Sequence, residues 1–333
     1  MTAPQTADID AGKRDLFESL PRGSLILAFI LVQLVAFAAT YAAGIPTAYA
    51  GFVIVSVLGT AYAADEGIFG MTAAVFGSVL LLAIGLPLAM FVARQQPSLV
   101  VEQALDPEVH RMLYLSVYGP LIAALVSVIF GVPLALVLSQ GFPGQSIVES
   151  LVDLPLVVPH SAAGIIVLFG FGEGGVFPQL TLLGTMVGFV LAMVFVSAPF
   201  AVNSAREAFE AIDTRVEYAS RIHGANRFET FRRVTAPLAA RGILTGGVLA
   251  WARSVSEFGA VAIVAYSVSF FYPPAGDTVT TQHAPVFIRR AYLSGGLEQS
   301  GAVTFILLVF STITFLIIRW LAYSDTPATG GMP

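Results

Sequence analysis

Arg253 and Glu257 lie four residues apart inside an apolar run, a spacing that puts both side chains on one face of a helix. Ionisable groups in such a run are costly to bury, so they face a partner or an aqueous cavity. The pair serves either as a neutralised structural bridge or as charged groups beside a path. His160 follows Pro159 where the proline can break a helix, which makes it a hydrogen-bonding structural residue or part of a pore wall. The four histidines lack clustered ligand spacing, so no metal site and no cofactor is expected. Without cysteine there is no disulfide, thiolate metal site or cysteine nucleophile. Lys13 is the only lysine, so a G-x-x-x-x-G-K-[ST] phosphate loop cannot occur beyond the first residues, and ATP-driven work needs another subunit. The rest of the apolar runs is nearly bare of polar groups, which argues against an enzyme.

The second constellation is polar. Ser204 to Pro237 holds six arginines and five acidic residues between two apolar runs. Ser204-Ala205-Arg206-Glu207 has a capping-box pattern, from which a helix is expected to begin or restart there. Asp213 suits the cap of a second helix reaching about His223, with Glu217 and Arg221 spaced for an ion pair. Gly224 is placed to end that helix in a left-handed corner. Asn226 and Glu229 offer another cap, Phe228, Phe231 and Val234 form an apolar stripe beside Arg227, Arg232 and Arg233, and Pro237 suits the first turn of the next helix. By periodicity alone this is equally a surface helix whose arginines meet lipid headgroups.

The elements that carry these groups are membrane spans. Hydrophobic residues make up 56% of the 333 and charged ones 11%, against roughly 25% charged in soluble domains. An all-α integral membrane protein is expected, a polytopic helical bundle with about eight spans near 24–43, 46–64, 68–93, 113–139, 151–171, 180–200, 239–266 and 302–323. The second span has weak turns on both sides and reads equally as a tight hairpin or an interfacial segment. Residues 1–23 form a polar tail and 324–333 a second one. With both termini cytoplasmic, eleven basic residues face inward and four outward, as cytoplasmic loops favour. Arg289 and Arg290 then fall in an external loop as solvated flanking residues or as a guide for an anion. A nucleic-acid partner is not expected.

The order of residues in the polar island is similar to a family signature. Glu217-Tyr218-Ala219-Ser220, then Gly224-Ala225, then Val234-Thr235-Ala236-Pro237 resembles the EAA motif of ABC importer permeases. Glu217 stands one place early, Tyr218 takes the place of the motif's glutamate, Ser220 replaces Ala and Ala236 replaces Leu; the glycine-to-proline frame holds. The runs Leu151 to Gly164 and Ser256-Glu257-Phe258-Gly259-Ala260 resemble segments of molybdate and tungstate permeases, with sulfate permeases close by. Phe142-Pro143-Gly144 matches a cytoplasmic turn.

The resemblance implies a six-helix permease core within residues 65–323, preceded by an extra hairpin over 24–64 and carrying its cytoplasmic loop at about 204–237. It implies a homodimer in the lipid bilayer of the plasma or inner membrane, served by cytoplasmic ABC ATPase subunits and an external or periplasmic solute-binding protein. The implied ATPase-coupling residues are Glu217, Gly224, Ala225, Arg227, Phe228, Phe231 and Pro237. Phe231 has a structural alternative, packing against its own bundle. Arg253, Glu257 and His160 are the path or gate candidates, with Arg253 attracting an oxyanion. Sulfate or another solute stays open as cargo, and so does an ion-coupled secondary transporter.

Overall fold

The computed structural model describes residues 22–63, 67–172 and 175–323. The expected tails lie outside them, apart from Arg22 and Gly23, as do Asp65 and Glu66 of the turn after the second span. The chain forms two compact units that divide between Arg94 and Gln95.

The first unit holds α1 (Arg22–Ala42), α2 (Thr47–Ala63) and α3 (Gly67–Ala93). Gly44, at φ 74°, turns the chain between α1 and α2, a backbone shape that glycine adopts without steric cost. Gln33 donates to Ser56 at 2.8 Å and Phe37 meets Tyr49 edge-on at 5.4 Å, pairings that make α1 and α2 an antiparallel hairpin. The extra hairpin is therefore helical, and α3 clusters with it.

The second unit begins with α4 (Pro97–Leu105) and α5 (Pro107–Ser139). Asp106 caps α5 by accepting from Glu108 N at 2.7 Å, and Pro107 occupies the first turn, where its missing N–H costs nothing. Next come α6 (Gln145–Val157), α7 (His160–Phe171), α8 (Met186–Glu210), α9 (Thr214–Ile222) and α10 (Arg227–Thr230). A π-helical turn over Phe231–Thr235 joins α10 to α11 (Ala236–Val255), and α12 (Gly259–Val264) follows. A two-stranded antiparallel hairpin, β1 (Val268–Tyr272) and β2 (Asp277–Thr281), precedes α13 (Ala284–Tyr323), which is broken at Gly296 with φ 71°.

Helices α5, α8 and α11 pack on one another as the centre of this unit. Small residues let them approach: a Cβ at Gly242 would stand 2.3 Å from the Ala208 side chain, and one at Gly246 3.1 Å from Ala201 O. Gly119 of α5 leaves room for the Phe189 ring of α8. Leu115, Phe189, Met193 and Val261 are fully buried in the largest core cluster, while Ala135, Leu138, Val202 and Phe209 form a second.

Among the described residues, five helices are long and apolar enough to cross a membrane: Gly67–Ala93, Pro107–Ser139, Met186–Glu210, Arg227–Val255 and Ala284–Ile318. The first expected span corresponds to α1 (Arg22–Ala42), and the second and fifth to shorter apolar helices at 47–62 and 160–171. Two expected spans are interrupted. The fifth breaks at Val158-Pro159, where proline lacks the amide a helix needs, and the seventh breaks at Ser256–Phe258. The all-α expectation also passed over the β-hairpin. Val268-Ser-Phe-Phe-Tyr and Asp-Thr-Val-Thr-Thr flank a Pro-Pro-Ala-Gly turn, a pattern rich in strand-favouring residues.

Candidate functional site

The polar island folds into a compact helical corner. α8 runs unbroken through Ser204 to Glu210, so the Ser204-to-Glu207 capping pattern starts no helix; Ser204 instead faces Gly246 of α11 from within α8. Asp213 caps α9 by accepting from Arg215 N at 2.9 Å, and Glu217 pairs with Arg221 at 3.6 Å, as their spacing predicts. Gly224 makes the corner with φ 91°, and open space lies where its Cβ would be, so conformation rather than crowding requires glycine. Asn226 and Glu229 form a reciprocal capping box at 2.8 and 3.0 Å.

Around this corner the apolar side chains divide into two sets. Phe231 turns inward, its ring 6.4 Å from Phe209 against a core cluster, which is the structural alternative named for it. Phe228 is 67% exposed, and Arg227 and Pro237 are also exposed, while Ala225 is half-buried. On α9, Tyr218 and Ile222 add exposed apolar surface, with Ile222 83% exposed. Large apolar groups exposed amid charged residues suit contact with another protein or with the membrane surface. Pro237 stands in the first turn of α11, as its position suggests, within an unbroken helical run from Arg227 to Val255. The π turn precedes it, with Ala236 N bonded back to Phe231 O.

The three residues nominated within the apolar runs meet at a second place. Arg253 Nη2 lies 2.6 Å from Glu257 Oε2, and Glu257 Oε1 accepts from Ala260 N at 2.9 Å, so one fully buried carboxylate ends α11 and begins α12. His160 Nε2, at the start of α7, lies 3.8 Å from the same carboxylate, beyond direct hydrogen-bond reach. Its side chain is half exposed. The juxtaposition depends on glycine: a Cβ at Gly259 would stand 2.6 Å from His160 Cβ, and one at Gly164 2.7 Å from Ala260 O. Two short helices thus cross at near-backbone contact beside a buried ion pair. The arrangement leaves the guanidinium paired with the carboxylate and the imidazole half exposed beside it. Among the described residues no cluster has the makings of a metal site.

Residues 127–325, which lie within the second compact unit, match the family described as binding-protein-dependent transport system inner membrane component. The chain belongs to this family. The molybdate/tungstate transport system permease protein WtpB of Pyrococcus abyssi is 37% identical to it over 251 residues, covering 74% of this chain and 93% of that protein. The molybdenum transport system permease protein ModB of Escherichia coli K12 is 33% identical over 225 residues, covering 65% and 94%. A bacterial ABC transporter involved in the import of the acidic polysaccharide alginate has a chain of the same fold, with a TM-score of 0.58 and 17% identity over 80% of this chain and 99% of that one. The permease is therefore a multi-pass membrane protein and a permease subunit of an ABC importer.

Several polar contacts of the permease were not legible from spacing. Arg206 of α8 pairs with Glu149 of α6, and Asn203 donates to Asp153 at 2.7 Å. These bridges tie α6, ahead of its break at Pro159, to α8. Their partners are separated by 50 residues or more, and the only sequence signal was polarity recurring on one face of α6. Arg289 and Arg290 sit in a helix, not in the loop expected of them. Arg290 pairs with Glu108 at 2.8 Å and covers the Phe287 ring, and Arg289 lies over Phe258 at 5.8 Å.

Proposed function

We propose that the chain is the membrane-spanning permease of an ATP-driven importer of molybdate and tungstate oxyanions. The observation that carries this is the 37% identity, over three quarters of the chain, to relatives whose names state that cargo. Residues 65–323 are the permease domain, 24–64 an added hairpin and 204–237 the cytoplasmic coupling loop. Two copies enclose one path, with both termini in the cytoplasm. Separate ATPase subunits hydrolyse ATP, consistent with a sequence whose one lysine cannot serve a phosphate-binding loop. An external binding protein delivers the oxyanion.

Phe228 and Ile222 are the apolar anchors of the ATPase contact, with Ala225 and Gly224 at the corner and Arg227 at its rim. Exposure of both anchors supports this role, whereas Phe231 and Pro237 act by shaping the loop. Closure of the ATPase pair moves the docked corner, and α11 carries that motion toward Arg253 and Glu257. The permease switches between inward-open and outward-open states whose balance nucleotide sets. Arg253 draws the dianion toward the gate, Glu257 holds the guanidinium in place, and His160 lines the path.

Cellular molybdenum and tungsten measured by mass spectrometry at trace supply test the proposal, in a strain deleted for this gene and complemented with wild type or Phe228→Asp. Loss of either metal, restored by wild type alone, is the expected result. Unchanged metals with impaired sulfate uptake would reassign the cargo, and full rescue by Phe228→Asp would point to transport without an ATPase.

A further inference from the structure

Pro237 lies within the continuous helix from Arg227 to Val255, and this placement has a local consequence. Its ring would clash with the carbonyl four residues back, that of Arg233, and it has no N–H to give. The chain responds by widening the turn before it into the π helix over Phe231–Thr235. In a regular α-helix, residues five apart point roughly 140° away from each other. A turn closed by bonds from residue i to i−5 brings them back to one side. Thr230 and Thr235, five apart, consequently both face α9. Thr235 Oγ1 donates to Glu217 Oε1 at 2.9 Å, and Thr230 Oγ1 lies 3.3 Å from Ser220 Oγ. Both threonines are buried, although they stand in the most charged stretch of the chain. Glu217 and Ser220 are themselves three apart on α9 and so share a face.

We propose that Glu217 and Thr235 form a latch that makes α9, the Gly224 corner and the root of α11 move as one lever. Glu217 is then a positioning residue. It holds the docking corner to the membrane helix through the threonine hydroxyl, whether or not it also touches the ATPase. The π turn sets the register of the latch, and Pro237 maintains the π turn. The other side-chain hydrogen bond between α9 and the helix root, the neutral hydroxyl pair at 3.3 Å, is weaker, and Phe231 seats the root on Phe209 of α8 rather than on α9. With the carboxylate-to-hydroxyl bond gone, the corner still docks but pivots against α11, and ATP is spent without a matching movement of the spans.

The inference rests on the coupling role proposed above, and the test separates the two. The permease, assembled with its ATPase subunits and binding protein in proteoliposomes, is assayed for oxyanion imported per ATP hydrolysed. Thr235→Val, which removes the hydroxyl and keeps the shape, lowers that ratio about tenfold, the scale of one hydrogen bond to a carboxylate. Copurification with the ATPase is unchanged, and Thr235→Ser restores the ratio. Glu217→Ala approaches the same bond from its more accessible partner, should the buried substitution fold poorly. In the double variant the loss is no greater than in either single one. A normal ratio in Glu217→Ala overturns the latch, and so do additive losses in the double variant. Uptake by the wild type that needs no ATP overturns the coupling role itself.

Discussion

The Arg253 guanidinium lies 2.6 Å from the Glu257 carboxylate, which is completely buried and closes the end of one helix while opening the next. Removing one member leaves a charge without its partner in a medium that solvates it poorly. Arg253→Ala is expected to cost about 3–5 kcal/mol, seen as a lowered Tm of the purified complex. Arg253→Met with Glu257→Leu removes both charges and recovers most of that loss. If recovered stability comes with recovered uptake, the pair is a structural bridge; stability without uptake assigns Arg253 to the path.

The crossing of α7 and α12 rests on two glycines whose absent side chains leave backbone in contact. Gly164→Val places atoms where Ala260 O already stands 2.7 Å from an ideal Cβ, so the helices must separate. A loss of about 1–3 kcal/mol is expected, and His160 moves away from Glu257. Thermal unfolding measures the first effect. Adding His160→Ala to Gly164→Val measures the second, since the histidine's contribution to Tm shrinks once it is displaced from Glu257.

Phe228 and Phe231 are three residues apart yet predict opposite phenotypes. Phe228→Asp and Ile222→Asp alter exposed positions and are expected to change the stability of the isolated permease by less than about 0.5 kcal/mol, while abolishing copurification with the ATPase. Phe231→Ala opens a gap beside Phe209 and costs roughly 2 kcal/mol of stability. Size-exclusion profiles combined with thermal shift distinguish the two classes.

Asn203 is the partner of Asp153 across the α6–α8 contact. Asn203→Leu leaves that carboxylate unpaired and is expected to cost about 1–3 kcal/mol, with Asp153→Leu in the same chain relieving most of it. A double-mutant cycle on Tm gives the coupling directly, and a coupling near zero would show that the two side chains act independently.

The polar island was readable because caps and corners are local. Asp213, Gly224, Asn226 and Glu229 act on backbone within a few residues, so their types and spacing suffice to place α9, the corner and α10. The same local logic failed at Ser204, where a capping pattern lies inside a helix because the apolar run before it carries α8 straight through and packs it on Gly246. The membrane class was equally legible, since burial of backbone in hydrocarbon demands long apolar helices whatever their partners.

By itself, the sequence determined a membrane bundle, a charged island of short helices between two apolar runs, the absence of any ATP-binding lysine there and the ion-pair spacing of Arg253 and Glu257. Only tertiary structure decided what these residues meet. It brought His160 to Glu257 across nearly a hundred residues, turned Phe231 inward and left Phe228 outside, joined Arg206 to Glu149, and set Thr235 against Glu217 through a π turn. Each of these depends on how closely separate helices approach and on which side of a turn a residue emerges. Hydropathy and short spacing are blind to both, because they describe one helix at a time.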